Sequence, residues 1–146
     1  MDPILAIARR RGLKVIEDTC QAPGAFYKGR KAGSLGDMAA YSIMAGKNLP
    51  TPGEGGLFTT DDPQLCEAAD MIKMFGEKVR PDEVREYNAL TLGWNYRFSS
   101  ILAAFTLSQL ARLDALGVGG GERGVGQLVR MRLVRDAVRA QPGGQA

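Results

Sequence analysis

The chain has 146 residues, 45% of them hydrophobic, and a formal charge of +3. That length allows one domain with a real core. No apolar run approaches the roughly 18 residues of a membrane span, and the start, Met1-Asp2-Pro3-Ile4, lacks the basic and apolar regions of a signal peptide.

Side-chain chemistry narrows the classes further. There is no histidine, which removes Ser-His and Cys-His catalysis and most zinc sites. Cys20 and Cys66 make no disulfide framework, so a reducing cytoplasm is the expectation, with no bound metal, membrane or nucleic acid.

In chain order, Asp2-Pro3 reads as an N-cap and first helical position. The helix carries Ile4, Leu5, Ile7 and Ala8, then Arg9–Arg11 at its negative end, and stops at Gly12. Leu13–Glu17 reads as a short strand, Ala22-Pro23-Gly24 as a turn and Tyr27–Lys31 as a small hairpin or loop. Ala39–Met44 and Gly56–Thr60 are two further strand candidates. Asp61-Asp62-Pro63 opens a helix with Leu65, Ala68, Ala69 and Ile72, ending at Gly76. Residues 77–93 are polar and irregular, a long loop of the kind that is usually functional or mobile. Ser99 or Ser100 caps the clearest helix, with Leu102, Phe105, Leu110, Leu113 and Leu116 expected on one face. The alternation of helices and strands argues for an α/β layout.

The composition changes after Leu116. Residues 1–116 carry fourteen basic and fourteen acidic side chains, so the whole excess charge lies in 117–146, with five arginines against Glu122 and Asp136. Six of the ten residues 117–126 are glycine, and a short basic amphipathic segment follows, with Leu128, Met131, Val134 and Val138 set against Arg132, Arg135 and Arg139. A poorly packed tail is the expectation, with no strongly salt-dependent binding to DNA.

Three residue types carry the chemistry. Asp18 ends a strand, and ligand sites of open α/β sheets lie beyond the carboxyl ends of strands. A carboxylate there can keep a pyridine nitrogen protonated, and Gln21 is near enough in the chain to reach the same ring. Lys47, in Tyr41-Ser42-Ile43-Met44-Ala45-Gly46-Lys47, offers an amine able to bond an aldehyde and then carry a proton. Ser42 offers a phosphate ligand, and Asn95 and Arg97 stand before a helix start, which favours anions. Each has a plainer account when taken singly: a capping acid, a surface lysine, core aromatics around Trp94 and Tyr96. Gly46-Lys47 is no Walker A loop, because Tyr41 and Asn48 stand where glycine and Ser/Thr are required. Gly119–Gly124 spells G-x-G-x-x-G but follows a helix, so it is no dinucleotide fingerprint.

Taken together, Val15–Ala22, Tyr27–Asp37, Tyr41-Ser42 with Gly46–Leu49, Gly53–Gly56 and Gly93–Ser99 with the following helix resemble the DegT/DnrJ/EryC1/StrS family of pyridoxal-phosphate (PLP) dependent sugar aminotransferases. The resemblance covers about four-fifths of the chain, motif after motif in order. It implies a partial large domain of a fold-type I PLP-dependent transferase over 1–116, an incomplete sheet flanked by helices, with a non-homologous or poorly ordered tail over 117–146.

The resemblance also implies roles. Lys47 is similar to the lysine that bonds the cofactor, Asp18 to the partner of the pyridine nitrogen, Gln21 to the contact at the phenolic oxygen and Ser42 to a phosphate ligand. Asn95 is similar to an asparagine that reaches the neighbouring subunit's cofactor, which implies a homodimer. The implied reaction moves an amino group from glutamate or glutamine onto a nucleotide-linked keto-sugar, for antibiotic or cell-surface sugar biosynthesis. Lys47 argues against relatives that carry histidine there and dehydrate sugars. Cys20 stands where a small residue is usual, and Pro23 where histidine is common. Family enzymes carry a phosphate-binding turn and a stacking aromatic before position 1 and a further domain after the last helix. The chain therefore looks like the middle of a large domain, expected to bind PLP weakly or not at all by itself. A catalytically inactive fragment pairing with an intact paralogue is the alternative.

Overall fold

The computed structural model describes residues 1–80 and 83–115, and the backbone of 130–134. α1 spans Asp2–Arg11. Pro3 sits in the first turn, where no amide partner is needed, and the Gly12 and Leu13 amides close the far end on Arg9 O (3.3 Å) and Ala8 O (2.9 Å). The cap differs from expectation. Met1 is the N-cap, its carbonyl accepting from Ile4 and Leu5 (both 3.0 Å), and Asp2 is already helical. The Asp2 carboxylate pairs instead with the Lys28 ammonium.

β1 (Lys14–Asp18), β4 (Met38–Ser42), β5 (Gly56–Thr60) and β6 (Arg130–Val134) form one mixed sheet in the order β5-β4-β1-β6. β1 and β4 are parallel; β5 and β6 are antiparallel to their neighbours. The crossover from β1 to β4 contains a hairpin, β2 (Phe26–Tyr27) and β3 (Arg30–Lys31), not a helix. Its two turn residues, Lys28 and Gly29, have φ of 50° and 77°, the signature of a tight primed turn. The predicted strands stand within a residue or two of their observed limits. β6 is the exception: no strand was expected in 130–134. The rest of the tail lies outside the described residues, including the G-x-G-x-x-G run, Leu116 and most of the basic amphipathic segment.

α2 spans Pro63–Lys73, its N-cap Asp62 accepting through one oxygen from the Gln64 (2.9 Å) and Leu65 (3.4 Å) amides. The described residues of 77–93, that is 77–80 and 83–93, form the expected irregular connection, gripped where Arg85 donates twice to one oxygen of the mostly buried Glu77 carboxylate (2.7 and 2.9 Å). α3 spans Ser100–Leu110, shorter than expected, and Ser99 caps it without a side-chain hydrogen bond.

The single buried face expected for α3 is a correction. Phe105 and Leu110 are 41% and 46% exposed, and only Thr106 of the helix is buried. The helix is apolar on every side, so its periodicity selects no face. Leu113, in the turn beyond, does reach the core, where it meets Ile43 and Leu49, with Leu57 and Phe98 packed against them. That cluster lies under the connection between β4 and β5.

Candidate functional site

β1 and β4 run in the same direction, so their carboxyl ends open on one edge of the sheet. The register sets Asp18 beside Ala40, two residues before Ser42. The Thr19 amide and hydroxyl both donate to Ala40 O (2.9 and 2.8 Å), which locks the two ends together. Next in the chain, the Cys20 amide donates to Asp18 Oδ1 at 3.1 Å, and Cys20 Sγ lies 3.8 Å from Ala40 O.

The Cys20 thiol gathers the group. Burial pushes its pKa up, and the hydrogen-bonded Asp18 carboxylate pushes the same way. The Lys47 ammonium and the Ser42 backbone pull it back. One side chain thus lies within electrostatic reach of Asp18 and Lys47 and against the backbone of Ser42. Asp18 and Ser42 end adjacent parallel strands, and Lys47 follows on the connection from β4, within electrostatic reach of the same thiol.

Lys47 is half-buried on the connection from Ile43 to Gly55, and its amide donates to Met44 O at 3.0 Å. The connection is zipped by Ile43 N to Gly55 O (3.0 Å), Ala45 N to Gly53 O (3.2 Å) and Thr51 N to Ile43 O (2.7 Å). Ile43 and Leu49, on either side of Lys47, are 0% and 2% exposed. Burial of each is worth about 1.5–3 kcal/mol, so the lysine hangs between two anchors. Gln21 is exposed in the turn after Cys20. Asn95 belongs to a second local group: it bridges Met74 beyond the end of α2, and its Oδ1 accepts from Arg97 Nε at 2.8 Å. Trp94 and Tyr96 stack beside it at 5.8 Å, and the Arg97 guanidinium lies 5.4 Å from the Phe75 ring centre. A groove of about 610 Å³ runs along α2 and residues 77–80, and none of Asp18, Gln21, Ser42, Lys47 or Asn95 lines it. The convergence of chemistry, not that groove, marks the candidate site.

The opposite face of β1 holds residues to which the motif reading gave no role. Glu17 is wholly buried, and its carboxylate accepts from the amides of Gly33 (2.8 Å), Leu35 (2.6 Å) and Gly36 (2.7 Å). Tyr41 donates its hydroxyl to Ala32 O at 2.8 Å; burial raises its pKa and the nearby Glu17 charge adds to the rise, against hydrogen bonds with Thr19 and Thr59. Asp37 accepts from the Val15 amide (2.8 Å) and pairs with Lys14 (2.9 Å). Burial pulls its carboxyl up, but those two donors outweigh it and the pKa lies below the ordinary value. The readable signal was an acid on the buried side of a short strand, followed by glycines whose amides need an acceptor.

A lysine, a carboxylate and a hydroxyl beyond the carboxyl ends of adjacent parallel strands suit a transferase built on a PLP-type α/β sheet, and solved structures share the fold. An aminotransferase from Psychrobacter cryohalolentis superposes with a TM-score of 0.71 at 35% identity, over 78% of this chain and 30% of that one. Over 114 residues the chain is 48% identical to GDP-perosamine synthase of Caulobacter vibrioides, and over 115 residues 38% identical to dTDP-3-amino-3,4,6-trideoxy-alpha-D-glucose transaminase of Streptomyces venezuelae. These alignments cover 78% and 79% of this chain and 29% of each relative, so the chain spans about three tenths of the length of the curated relatives it matches. The chain belongs to the DegT/DnrJ/EryC1/StrS aminotransferase family, whose pattern matches residues 1–118. The family is PLP-dependent.

Proposed function

We propose that this chain carries the cofactor-bonding segment of a nucleotide-sugar aminotransferase, with Lys47 as the covalent anchor and Asp18, Gln21, Ser42 and Asn95 as further cofactor ligands. The observation that supports it is the parallel register that ends β1 at Asp18 and β4 at Ser42 side by side, with Lys47 on the connection that follows β4.

The residues fit PLP by their chemistry. Asp18, fixed at the end of β1, is the partner for a protonated ring nitrogen, and Gln21 follows it in an exposed turn suited to the phenolic oxygen. Ser42 ends β4 beside it and supplies a hydroxyl for the phosphate. When bound, PLP supplies an electron sink for negative charge on the carbon that carries the amino group. Lys47 Nζ would hold the cofactor through its aldehyde carbon, with loss of water, and when free would take and return the proton at the substrate carbon. Asn95, held apart by Met74 and Arg97, serves the phosphate of a second subunit in a homodimer. The amino donor is glutamate or glutamine, the acceptor a nucleotide-linked keto-sugar, and the compartment the cytoplasm.

A second reading has its own observation. α3 is apolar all round, with Ile101 81% and Leu107 64% exposed, which suits a chain that completes itself against an intact family member. The test is amino transfer from L-glutamate to a nucleotide-linked keto-sugar in the presence of PLP, followed as 2-oxoglutarate. Transfer by the chain alone, lost in Lys47→Ala, supports the first reading. No transfer by the chain alone, together with a stable complex with an intact homologue, supports the second, in which the chain is a catalytically inactive partner. Transfer by Lys47→Ala equal to the unaltered chain rejects both.

A further inference from the structure

Glu17 precedes Asp18 and points the other way, because side chains alternate across a strand. It is 0% exposed, yet the mechanism above does not use it. Its two oxygens take three backbone amides: Gly33 on one, Leu35 and Gly36 on the other. A buried carboxylate with three amide donors is an expensive group to place unless all three hold.

The amides belong to the segment that leads into β4. Gly36 is pressed so closely on β1 that an added Cβ would lie 2.8 Å from Val15 O. Asp37 follows, its amide on Val15 O at 2.9 Å and its carboxylate on the Val15 amide. β4 starts at the next residue with Met38 against Ile16. The position of residues 33–37 on β1 therefore sets the register of β4. A slip of one residue would carry Ser42 away from Asp18 and turn it to the other face.

We infer that Glu17 is a positioning residue for the candidate site: by gathering the amides of Gly33, Leu35 and Gly36 it fixes the β1–β4 register and so the place of Asp18 relative to Ser42 and Lys47. The inference rests on the proposed function for its sense, but its structural core is testable without cofactor.

The reporter is Cys20, whose amide bonds Asp18 Oδ1 at 3.1 Å and whose thiol lies 3.8 Å from Ala40 O across the β1–β4 seam, within electrostatic reach of Lys47. In a Cys66→Ser background, the rate of alkylation of Cys20 is measured against pH for the unaltered residue 17, for Glu17→Gln and for Asp37→Asn. Gln keeps the size of Glu but turns one acceptor into a donor facing an amide. Asp37→Asn keeps an acceptor for the Val15 amide and loses only the charge paired with Lys14, so the register holds and the variant controls for lost stability. The expected result for Glu17→Gln is a profile moved to lower pH, with alkylation below the thiol pKa faster by about tenfold for each unit, while Asp37→Asn leaves the profile in place. Identical profiles in all three proteins, with both variants merely less stable, would overturn the inference, as would equal shifts in both variants.

Should Glu17→Gln not fold, hydrogen exchange of the unaltered protein decides. The Gly33, Leu35 and Gly36 amides are expected to exchange as slowly as Thr19, whose amide bonds Ala40 O; fast exchange at the three would overturn the inference. A chain that fails to take up PLP but shows the Glu17 effect on Cys20 refutes the functional reading alone.

Discussion

Replacing Gly33 with alanine probes the packing behind β1. Gly33 has φ of 89°, which costs a residue with a side chain about 1–3 kcal/mol. The added Cβ would stand 1.8 Å from Tyr41 Oη and 2.5 Å from Tyr41 Cζ, so the ring must leave. Its departure breaks the 2.8 Å bond to Ala32 O, within a buried residue, and an unsatisfied carbonyl there costs about 1–3 kcal/mol more. The sum, about 2–6 kcal/mol, is a large part of the 5–15 kcal/mol that typically holds a domain. Gly29→Ala is the control: φ is 77°, but nothing lies within 4 Å of its added Cβ, so only the backbone term of about 1–3 kcal/mol applies. Urea unfolding followed by circular dichroism measures both. Tyr41→Phe should lessen the Gly33→Ala penalty only in part, because the ring carbon still obstructs. Penalties for Gly33→Ala and Gly29→Ala that agree within about 0.5 kcal/mol would refute the reasoning.

Other outcomes follow from the same geometry. Asp37 has a folded pKa below its ordinary value, so its stabilising contribution is present above the unfolded pKa and lost as pH falls through the folded one. Asp37→Asn should therefore weaken the protein at pH 7, and its deficit should shrink as pH falls below the ordinary carboxylate range in urea titrations. Asp62→Ala removes the acceptor for the Gln64 and Leu65 amides, and thermal unfolding should show a loss of about 1 kcal/mol. Ile43→Ala empties the anchor before Lys47 and should cost about 2–5 kcal/mol, with faster hydrogen exchange at the Thr51 amide.

Strands and α2 were readable because local chemistry and tertiary structure agree there. Asp62-Pro63 announces a helix start, and Gly56–Thr60 is β-prone, opened by glycines and closed by Asp61-Asp62. The Asp2 cap misled because a charged partner, Lys28, competes for that carboxylate. α3 misled because a helix apolar on every side gives no periodicity from which to choose a face. β6 was missed although Arg130-Met131-Arg132-Leu133 alternates, because Leu128, Met131, Val134 and Val138 also recur at helical spacing. At the site, Asp18, Ser42 and Lys47 could be chosen from motif order. Their meeting at Cys20 could not, since it depends on the parallel register of β1 and β4. Glu17 sat inside a recognised motif, yet its work is done by backbone amides sixteen to nineteen residues away, which no side-chain pattern reveals.

The central claim is that Lys47 is the cofactor lysine and Asp18 its partner across the site. Incubation with PLP, borohydride reduction and peptide mapping by mass spectrometry tests it directly. The expected label is concentrated on Lys47, below one per chain because Asp18 and Gln21 are exposed, and falls sharply in Asp18→Ala. Label spread over exposed lysines such as Lys28, Lys31 and Lys78, and unchanged in Asp18→Ala, would contradict it.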